Sequence, residues 1–510
     1  MRRFAPRPAL LTGSLVAVAV ALIPLVYLGV RTTEAGGARI RAELLTRTTL
    51  DLAAVSLALA AVVTAGCLLL GVGTAYLVTR TDLPLRRTFG VVAALPLAMP
   101  TYVAAFGWVS VVDGFHGFWP AALVLTFCSY PYVYLPTAAA LSSVDPATEE
   151  VSQSLGRGAW GTFTGVTLRQ IRPAVIAGGL LVALYVLSDF GAVALLRVNT
   201  FTRAVFTSFD LGFDRTGALV QATALVAVTL VILGAELAVR RHDTRYAKVG
   251  AGARRPPHIL RLGPWRAAAL LTVAAVAAGS FAVPTAALVH WTAEGVSRPG
   301  SLAEIATAAG NSMGVSALGA ALTMLLALPI GLLTARAPGP PAAVLDRLTY
   351  LTHALPGLVV GLSLVFFGIN VAYPLYQTHW LLALAYATLF LPLAVGAVAS
   401  AAAQSPPGLE EAARSLGRGP WAVLRTVTLP LTLPGIGAGG ALVFLTCMKE
   451  LPATLLLRPT GMDTLATELW THTSVAAYAA ASPYAALLVL LSAAPVLVLA
   501  RRALTPGGRS

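Results

Sequence analysis

Long apolar runs alternate with short polar segments along the whole chain, and this pattern predicts membrane-spanning helices. A helix needs about 20 apolar residues to cross the roughly 30 Å of hydrocarbon in a bilayer. Pro96 and Pro100 interrupt one run, which lipid-embedded helices tolerate when neighbouring groups satisfy the freed backbone. We therefore predict an all-α polytopic membrane protein with about 12 transmembrane helices. The apolar runs are 9–30, 50–79, 89–111, 120–142, 173–196, 217–239, 266–290, 312–335, 348–370, 380–402, 435–457 and 484–500.

Composition supports this class and changes the meaning of the net charge. Charged residues make up 11% of the chain and hydrophobic residues 57%, whereas soluble proteins carry about 25% charged residues. The net charge of +14 would suit a nucleic-acid partner, but no compact basic domain with interleaved aromatic residues accompanies it. If the N-terminus is cytoplasmic, 25 of the 35 Lys and Arg residues fall on the cytoplasmic side. We therefore expect both termini in the cytoplasm, an uncleaved first helix and no nucleic-acid partner.

Two similar segments lie 261 residues apart and indicate an internal duplication. EEVSQSLGRGAWGTFTGVTL at 149–168 and EEAARSLGRGPWAVLRTVTL at 410–429 are identical at 11 of 20 positions. Since each half holds an even number of predicted spans, the repeats are parallel rather than inverted. We predict two homologous six-helix halves, 1–240 and 266–510. They are joined by a basic cytoplasmic linker, 241–265, that we expect to contact anionic lipid headgroups.

Each copy falls in a predicted cytoplasmic loop, 145–172 (the first loop) and 405–434 (the second loop). The pattern predicts a short helix, a break and another short helix. Asp145 or Ser405 can cap the first short helix, and Gly156 and Gly417 stand where a left-handed C-cap ends it. One interpretation is an interfacial helix that lies on the membrane. The other is a pair of docking sites for two copies of one partner, which the duplication favours.

The loops resemble the EAA motif of permease subunits in bacterial binding-protein-dependent ABC importers. Glu411-Ala412-Ala413, Gly417 and Val427-Thr428-Leu429-Pro430 carry the match, while Val151-Ser152 replaces the alanine pair in the first copy and Arg169 the proline. The resemblance implies the type I ABC importer transmembrane fold and loops that couple to an ATPase. The residues to which it assigns ATPase coupling are Glu149, Glu150, Gly156, Arg157, Glu410, Glu411, Ala412, Ala413, Gly417 and Arg418.

A finer resemblance is to the fused, twelve-helix ferric-iron permeases of this superfamily. It rests on Ser188-Asp189-Phe190-Gly191 and on the segment from Lys449 to Pro459, KELPATLLLRP. The resemblance implies that the fifth helix of each half lines the translocation path, with Asp189, Lys449 and Glu450 facing it. Because an isolated charge in a span is costly, these residues form either a polar patch in the path or a structural cluster beside the break at Pro452. The resemblance implies ferric iron as the substrate, and permeases for thiamine, polyamines or phosphonates, which share much of the pattern, are the alternatives.

The sequence holds no signature of an enzyme. Its two lysines, Lys248 and Lys449, lie outside any G-x-x-x-x-G-K-[ST] motif, and its histidines lack metal-ligand spacing, so no metal site is assigned. We expect no cofactor on this chain. The resemblance implies two copies of a cytoplasmic ABC ATPase that use ATP and Mg²⁺, a periplasmic or lipid-anchored substrate-binding protein, and a place in the bacterial inner membrane. From other classes of protein, the alternatives are an ion-coupled secondary transporter that uses Asp189, Glu450 and Lys449, and a membrane scaffold.

Overall fold

The structure is a computed structural model that describes residues 7–34, 36–144, 146–210, 212, 215–243, 259–294, 301–353 and 355–504. These ranges are mostly helical and contain no β-strand, only an isolated bridge between Thr81 and Leu260. The first helices are α1 (Arg7–Glu34), α2 (Gly37–Leu44), α3 (Arg47–Arg80), α4 (Arg86–Val92), α5 (Thr101–Val109), α6 (Phe118–Ser129), α7 (Pro131–Leu141), α8 (Pro146–Ser154), α9 (Ala159–Thr162), α10 (Leu168–Ser188), α11 (Gly191–Leu195), α12 (Phe201–Asp210) and α13 (Arg215–Asp243). They are followed by α14 (Arg266–Ala277), α15 (Val283–Glu294), α16 (Leu302–Arg336), α17 (Pro340–His353), α18 (Gly357–Asn370), α19 (His379–Gln404), α20 (Pro407–Ser415), α21 (Pro420–Val423), α22 (Leu429–Met448), α23 (Pro452–Leu457), α24 (Leu465–Ser474) and α25 (Tyr478–Leu504).

The helices fall where the apolar runs predict them. Within the described ranges, nine helices are long and apolar enough to cross a membrane, or up to eleven if each of two bent pairs is one span. The last predicted run, 484–500, falls in α25. The prediction of an all-α polytopic membrane protein is confirmed, and the twelfth span stays a prediction.

Proline sets the position of both bends. The segment Arg86–Ala98 meets α5 at 94°, and α17 meets α18 at 95°. Pro100 and Pro356 precede α5 and α18 in nearly the same extended conformation, with ψ of 144° and 142°. A proline has no N–H to donate and cannot continue the preceding helix. The interruption that the sequence predicts at Pro96 and Pro100 is therefore a sharp break rather than a tolerated kink.

One compact unit comprises Met1–Thr49, Ala204–Ala227 and Gly300–Thr471. At its centre α16 packs along α19 and α22, and α1 packs against α16, α17 and α18. Glycines allow the close approach of α16 and α19, because a Cβ on Gly319 would lie 2.6 Å from the Tyr386 ring and one on Gly331 2.6 Å from Val398. Small residues at helix contacts are typical of membrane proteins, where packing replaces the hydrophobic driving force.

The other compact unit comprises Leu50–Arg203, Val228–Pro299 and His472–Ser510. Here α10 packs on α7, α15 packs on α5, and α25 packs on α15. Gly178 allows α10 to approach α7 closely, since a Cβ there would lie 2.9 Å from the carbonyl oxygen of Tyr132 in α7.

The compact units cut across the two halves of the sequence. The first helix of the chain, α1, belongs to the unit formed mostly by the second half, whereas α14, α15 and α25 belong to the unit formed mostly by the first half. The division into 1–240, 241–265 and 266–510 therefore describes the duplication in the sequence, and the packing follows a different boundary. As a statement about separate domains, that division stays a prediction.

Candidate functional site

Both loops have the predicted order of helix, break and helix. In the first loop α8 is followed by α9 and by a π-helical turn, Phe163–Thr167, that leads into α10. In the second loop α20 is followed by α21 and by the π-helical turn Leu424–Thr428, which leads into α22. Single π-turns inside helices occur often at functional sites. The corresponding elements of the two loops keep the offset of 261 residues seen in the sequence.

Glycine ends the first helix of each loop in the way the sequence predicts. Gly156 and Gly417 have φ values of 83° and 82°, in the left-handed region that only glycine adopts without strain. The amide of Gly156 donates to the carbonyl of Gln153 at 2.9 Å, and that of Arg157 to the carbonyl of Ser152 at 3.3 Å. The second loop repeats both hydrogen bonds at the equivalent residues, from Gly417 and Arg418. The pattern is a Schellman motif, and the predicted C-caps are confirmed.

The predicted N-cap of the second loop is wrong. Helix α20 begins at Pro407, so the N-cap position falls on Pro406 rather than on Ser405. The carbonyl oxygen of Ser405 instead accepts hydrogen bonds from both terminal nitrogens of Arg336, at 3.2 Å. Asp145, the predicted cap of the first loop, lies outside the described residues.

The first glutamate of the first loop is buried and bound on two sides. Glu149 Oε2 lies 2.9 Å from Arg80 Nη1, and Glu149 Oε1 accepts a hydrogen bond from Thr167 at 2.6 Å. Arg80 Nη2 donates to the carbonyl oxygen of Leu141, at the end of α7, at 2.8 Å. Arg80 is the last residue of α3, so a single guanidinium joins three segments. We call Arg80, Glu149 and Thr167 the first clamp.

The second loop contains the same arrangement. Glu410 Oε1 lies 2.9 Å from Arg336 Nη2 and accepts a hydrogen bond from Thr428 at 2.9 Å. Arg336 is the last residue of α16, and through Ser405 it also binds the end of α19. A second arginine, Arg414, lies 3.5 Å from Glu410 Oε2. We call Arg336, Glu410 and Thr428 the second clamp.

Burial divides the residues to which the family resemblance assigns ATPase coupling. Glu149, Glu410 and Ala413 are buried, so another protein cannot reach them. The remaining seven are exposed: Glu150, Gly156, Arg157, Glu411, Ala412, Gly417 and Arg418. Beside them, the side chains of Leu155 and Leu416 are 77% and 82% exposed, and Trp160 and Trp421 are also exposed. Exposed apolar residues grouped among polar ones mark interaction surfaces, and sequence reasoning left the two leucines out.

Sequence reasoning also missed the role of the two clamp arginines. Arg80 and Arg336 lie 256 residues apart, whereas the loops repeat at 261, so the repeat alignment does not pair them. Basic residues at the ends of spans are expected from membrane orientation alone, so the sequence does not single out these two arginines. The signal that could have identified them is their shared position at the C-terminus of the longest helix in each unit.

The end of the basic linker contacts the first clamp. Leu260 donates its amide to the carbonyl of Arg80 at 2.8 Å, and Asp82 donates its amide to the carbonyl of Leu260 at 3.1 Å. The Asp82 carboxylate accepts the amide of Leu262 at 2.9 Å. Residues 244–258, on which the predicted lipid contact depends, lie outside the described residues.

The two carboxylates assigned to the translocation path lie in helix breaks rather than on a continuous fifth helix. Helix α10 ends at Ser188, and Asp189 Oδ1 accepts the amides of Ala192 and Val193 at 3.1 and 3.3 Å. Helix α22 ends at Met448, and the Glu450 carboxylate accepts the amides of Ala453 and Thr454 at 3.0 Å each. Each carboxylate thus satisfies the first free N–H groups of the short helix that follows, as an N-cap does.

The size of the residue opposite each carboxylate is complementary to the length of the acidic side chain. Thr101, which follows Pro100, donates its hydroxyl to Asp189 Oδ2 at 2.5 Å. Gly357, which follows Pro356, leaves room for the longer Glu450, because a Cβ there would overlap Glu450 Oε1. Lys449 caps the C-terminus of α22, where a cation is favourable. This geometry fits the structural alternative, and a role of Asp189, Lys449 and Glu450 in translocation stays a prediction.

The apolar helical fold with two duplicated loops is that of a multi-pass membrane protein. The chain belongs to the family described as binding-protein-dependent transport system inner membrane component, which matches residues 67–248 and 327–504. The resemblance found in the sequence is thereby confirmed.

Three relatives show how far the similarity extends. The chain is 38% identical over 485 residues to an Fe(3+)-transport system permease protein of Haemophilus influenzae, covering 94% of this chain and 96% of that protein. It is 30% identical over 183 residues to a sulfate transport system permease protein of Escherichia coli, covering 32% and 66%. It is 38% identical over 154 residues to a molybdenum transport system permease protein of Escherichia coli, covering 26% and 65%.

Proposed function

We propose that this chain is the transmembrane permease of an ATP-binding-cassette importer for ferric iron. The observation that carries the proposal is similarity over nearly the whole length of both chains to an Fe(3+)-transport permease. The likeness to sulfate and molybdenum permeases covers a third of this chain or less. A substrate-binding protein on the outer side delivers the ion, and separate ATPase subunits hydrolyse ATP. Ferric iron is therefore cargo rather than a resident group.

The two loops support the docking of two ATPase copies. They share the glycine-ended helix, the exposed leucine and the exposed tryptophan, so both present nearly the same surface. Two similar surfaces suit two copies of one partner. In this proposal both loops and both termini lie in the cytoplasm. Closure of the ATPase pair pushes the loops, and this movement exchanges outward and inward access.

Passage of iron through this chain is transient in the proposal. In the part of the chain that the structure describes, no three His, Cys, Asp or Glu side chains come together as a metal site. A conduction path must bind its ion weakly enough to release it. The tight selection of Fe³⁺ is therefore assigned to the binding protein.

Reconstitution in vesicles tests the proposal. The purified chain is incorporated with its ATPase and binding protein, and ATP hydrolysis and uptake are measured with Fe³⁺, sulfate, molybdate, thiamine or a polyamine as substrate. We expect Fe³⁺ to stimulate both by at least tenfold over the other substrates. Stimulation by another substrate would overturn the iron assignment. Uptake that needs no ATPase and stops when the ion gradient is dissipated would overturn the importer class and favour a secondary transporter.

A further inference from the structure

In each compact unit, one buried arginine connects a loop helix to the ends of two other helices. In the first clamp Arg80 is the last residue of α3, binds Glu149 in the first turn of α8 and donates to the last carbonyl of α7. In the second clamp Arg336 is the last residue of α16, binds Glu410 and donates to the carbonyl of Ser405, the residue after α19. The arginine side chains are 3% and 6% exposed.

The π-helical turn completes each clamp from the other side. Thr167 and Thr428 are the last residues of their turns, and each donates its hydroxyl to the glutamate that the arginine binds. Each glutamate is therefore bound between the end of α3 or α16 on one side and the π-helical turn that leads into α10 or α22 on the other. A shift of α8 or α20 relative to these helices would break a buried, charge-assisted hydrogen bond.

We propose that the pairs Arg80–Glu149 and Arg336–Glu410 are positioning pairs that make each loop helix move together with α3 or α16. This inference rests on the proposed function, because it concerns how a push on the loops reaches the spans. The glutamates are buried, so they act through the arginines and not by contact with an ATPase. The exposed surface of the loop binds the partner, and the clamp carries the displacement inward.

A purely stabilising role makes a different prediction. Removing one member of a buried ion pair leaves an uncompensated charge, whereas replacing both members by apolar residues of similar volume is often neutral or favourable. If the clamp only stabilises the fold, the double apolar replacement restores transport along with folding. If the clamp positions the loop, the double replacement restores folding alone, because flexible apolar contacts do not fix the direction of the loop helix.

The test compares Arg336→Met, Glu410→Met and the double variant in vesicles with the ATPase and binding protein. The amount of assembled complex and the ratio of substrate imported to ATP hydrolysed are measured separately. We expect the double variant to recover most of the assembled complex lost in the single variants. We expect its ratio of import to hydrolysis to stay about tenfold below that of the unsubstituted chain. Recovery of a normal ratio would overturn the inference.

A milder variant keeps the test decisive if the double variant fails to assemble. Thr428→Val removes one hydrogen bond to Glu410 and keeps both charges and the side-chain shape, and Thr428→Ser is its matched control. We expect Thr428→Val to assemble normally and to lower the ratio of import to hydrolysis two- to fivefold, with Thr428→Ser close to the unsubstituted chain. An unchanged ratio in both variants would overturn the inference. If the unsubstituted chain recruits no ATPase at all, it is the proposed function that fails.

Discussion

The two loops reach one geometry with different side chains, and the differences show which residues define it. Gly156 and Gly417 differ by one degree in φ, and both loops contain the same pair of C-cap hydrogen bonds. The first loop nevertheless lacks the alanine pair of the motif. Its Ser152, which replaces the buried Ala413, lies 3.2 Å from the hydroxyl of Thr162, and Val423 stands at the position of Thr162 in the second loop. A polar pair therefore substitutes for an apolar pair without changing the backbone.

The loops differ more in what surrounds each clamp. In the second clamp, Glu410 has two arginines within 3.5 Å, Arg336 and Arg414. In the first loop, Gln153 stands at the position of Arg414. The first clamp instead has the end of the linker paired with the backbone of Arg80. Glycine, glutamate, threonine and arginine are thus common to both loops, and the neighbouring residues vary.

The largest effect should come from removing one clamp arginine. We expect Arg80→Met and Arg336→Met each to lower the free energy of unfolding by about 3–5 kcal/mol, because a buried carboxylate loses its main partner. Denaturant titration in mixed micelles measures this. Arg87→Met, at an exposed position on α4, is the control and should change stability by less than about 0.5 kcal/mol. A similar loss in all three variants would mean that the clamps contribute no more than surface arginines.

A smaller effect should follow from adding one methyl group at the C-caps. Gly156→Ala and Gly417→Ala should each cost about 1–2 kcal/mol, because the left-handed conformation strains an L-residue. Both sites are sterically open, since no heavy atom lies within 4 Å of the added Cβ, so the two costs should be equal. Gly419→Ala is a matched control, because Gly419 is equally open and has φ of −67°. Equal costs at Gly417 and Gly419 would contradict the conformational explanation.

The smallest change in stability should come from replacing the polar pair Ser152 and Thr162 by the apolar residues found at the same positions of the second loop. Ser152→Ala alone should cost about 1 kcal/mol, because the buried hydroxyl of Thr162 loses its partner. Adding Thr162→Val gives the first loop the side chains of the second and should recover that loss. Thermal unfolding of the two single variants and the double variant measures the coupling between the positions. Additive losses would show that the two hydroxyls do not depend on each other.

Much of the fold follows from local patterns in the sequence. Apolar runs of about 20 residues predict spans, and a glycine after a short polar helix predicts a left-handed C-cap. Both features depend on neighbouring residues alone, so α3, α16, Gly156 and Gly417 lie where the pattern indicates. The break at Pro100 follows in position from the sequence, although its 94° angle does not.

The parts that could not be predicted depend on contacts distant in sequence. Arg80 contacts Glu149 across 69 residues. The two clamp arginines lie 256 residues apart, whereas the clamp glutamates and threonines lie 261 residues apart. The sequence places Asp189 and Glu450 on the fifth helix of each half and indicates a break at Pro452, but an apolar run does not reveal that a carboxylate caps a new helix within it. The assignment of α1 to the unit formed mostly by the second half likewise depends on packing alone.

The stoichiometry of ATPase binding tests the central claim, that two equivalent loops dock two copies of one ATPase, most directly. Native mass spectrometry of the purified complex can count ATPase copies for the unsubstituted chain, for Leu155→Asp, for Leu416→Asp and for the double variant. We predict two copies on the unsubstituted chain, a single copy on each single variant, and none on the double variant. Two copies retained by the double variant, or none bound by the unsubstituted chain, would contradict the account.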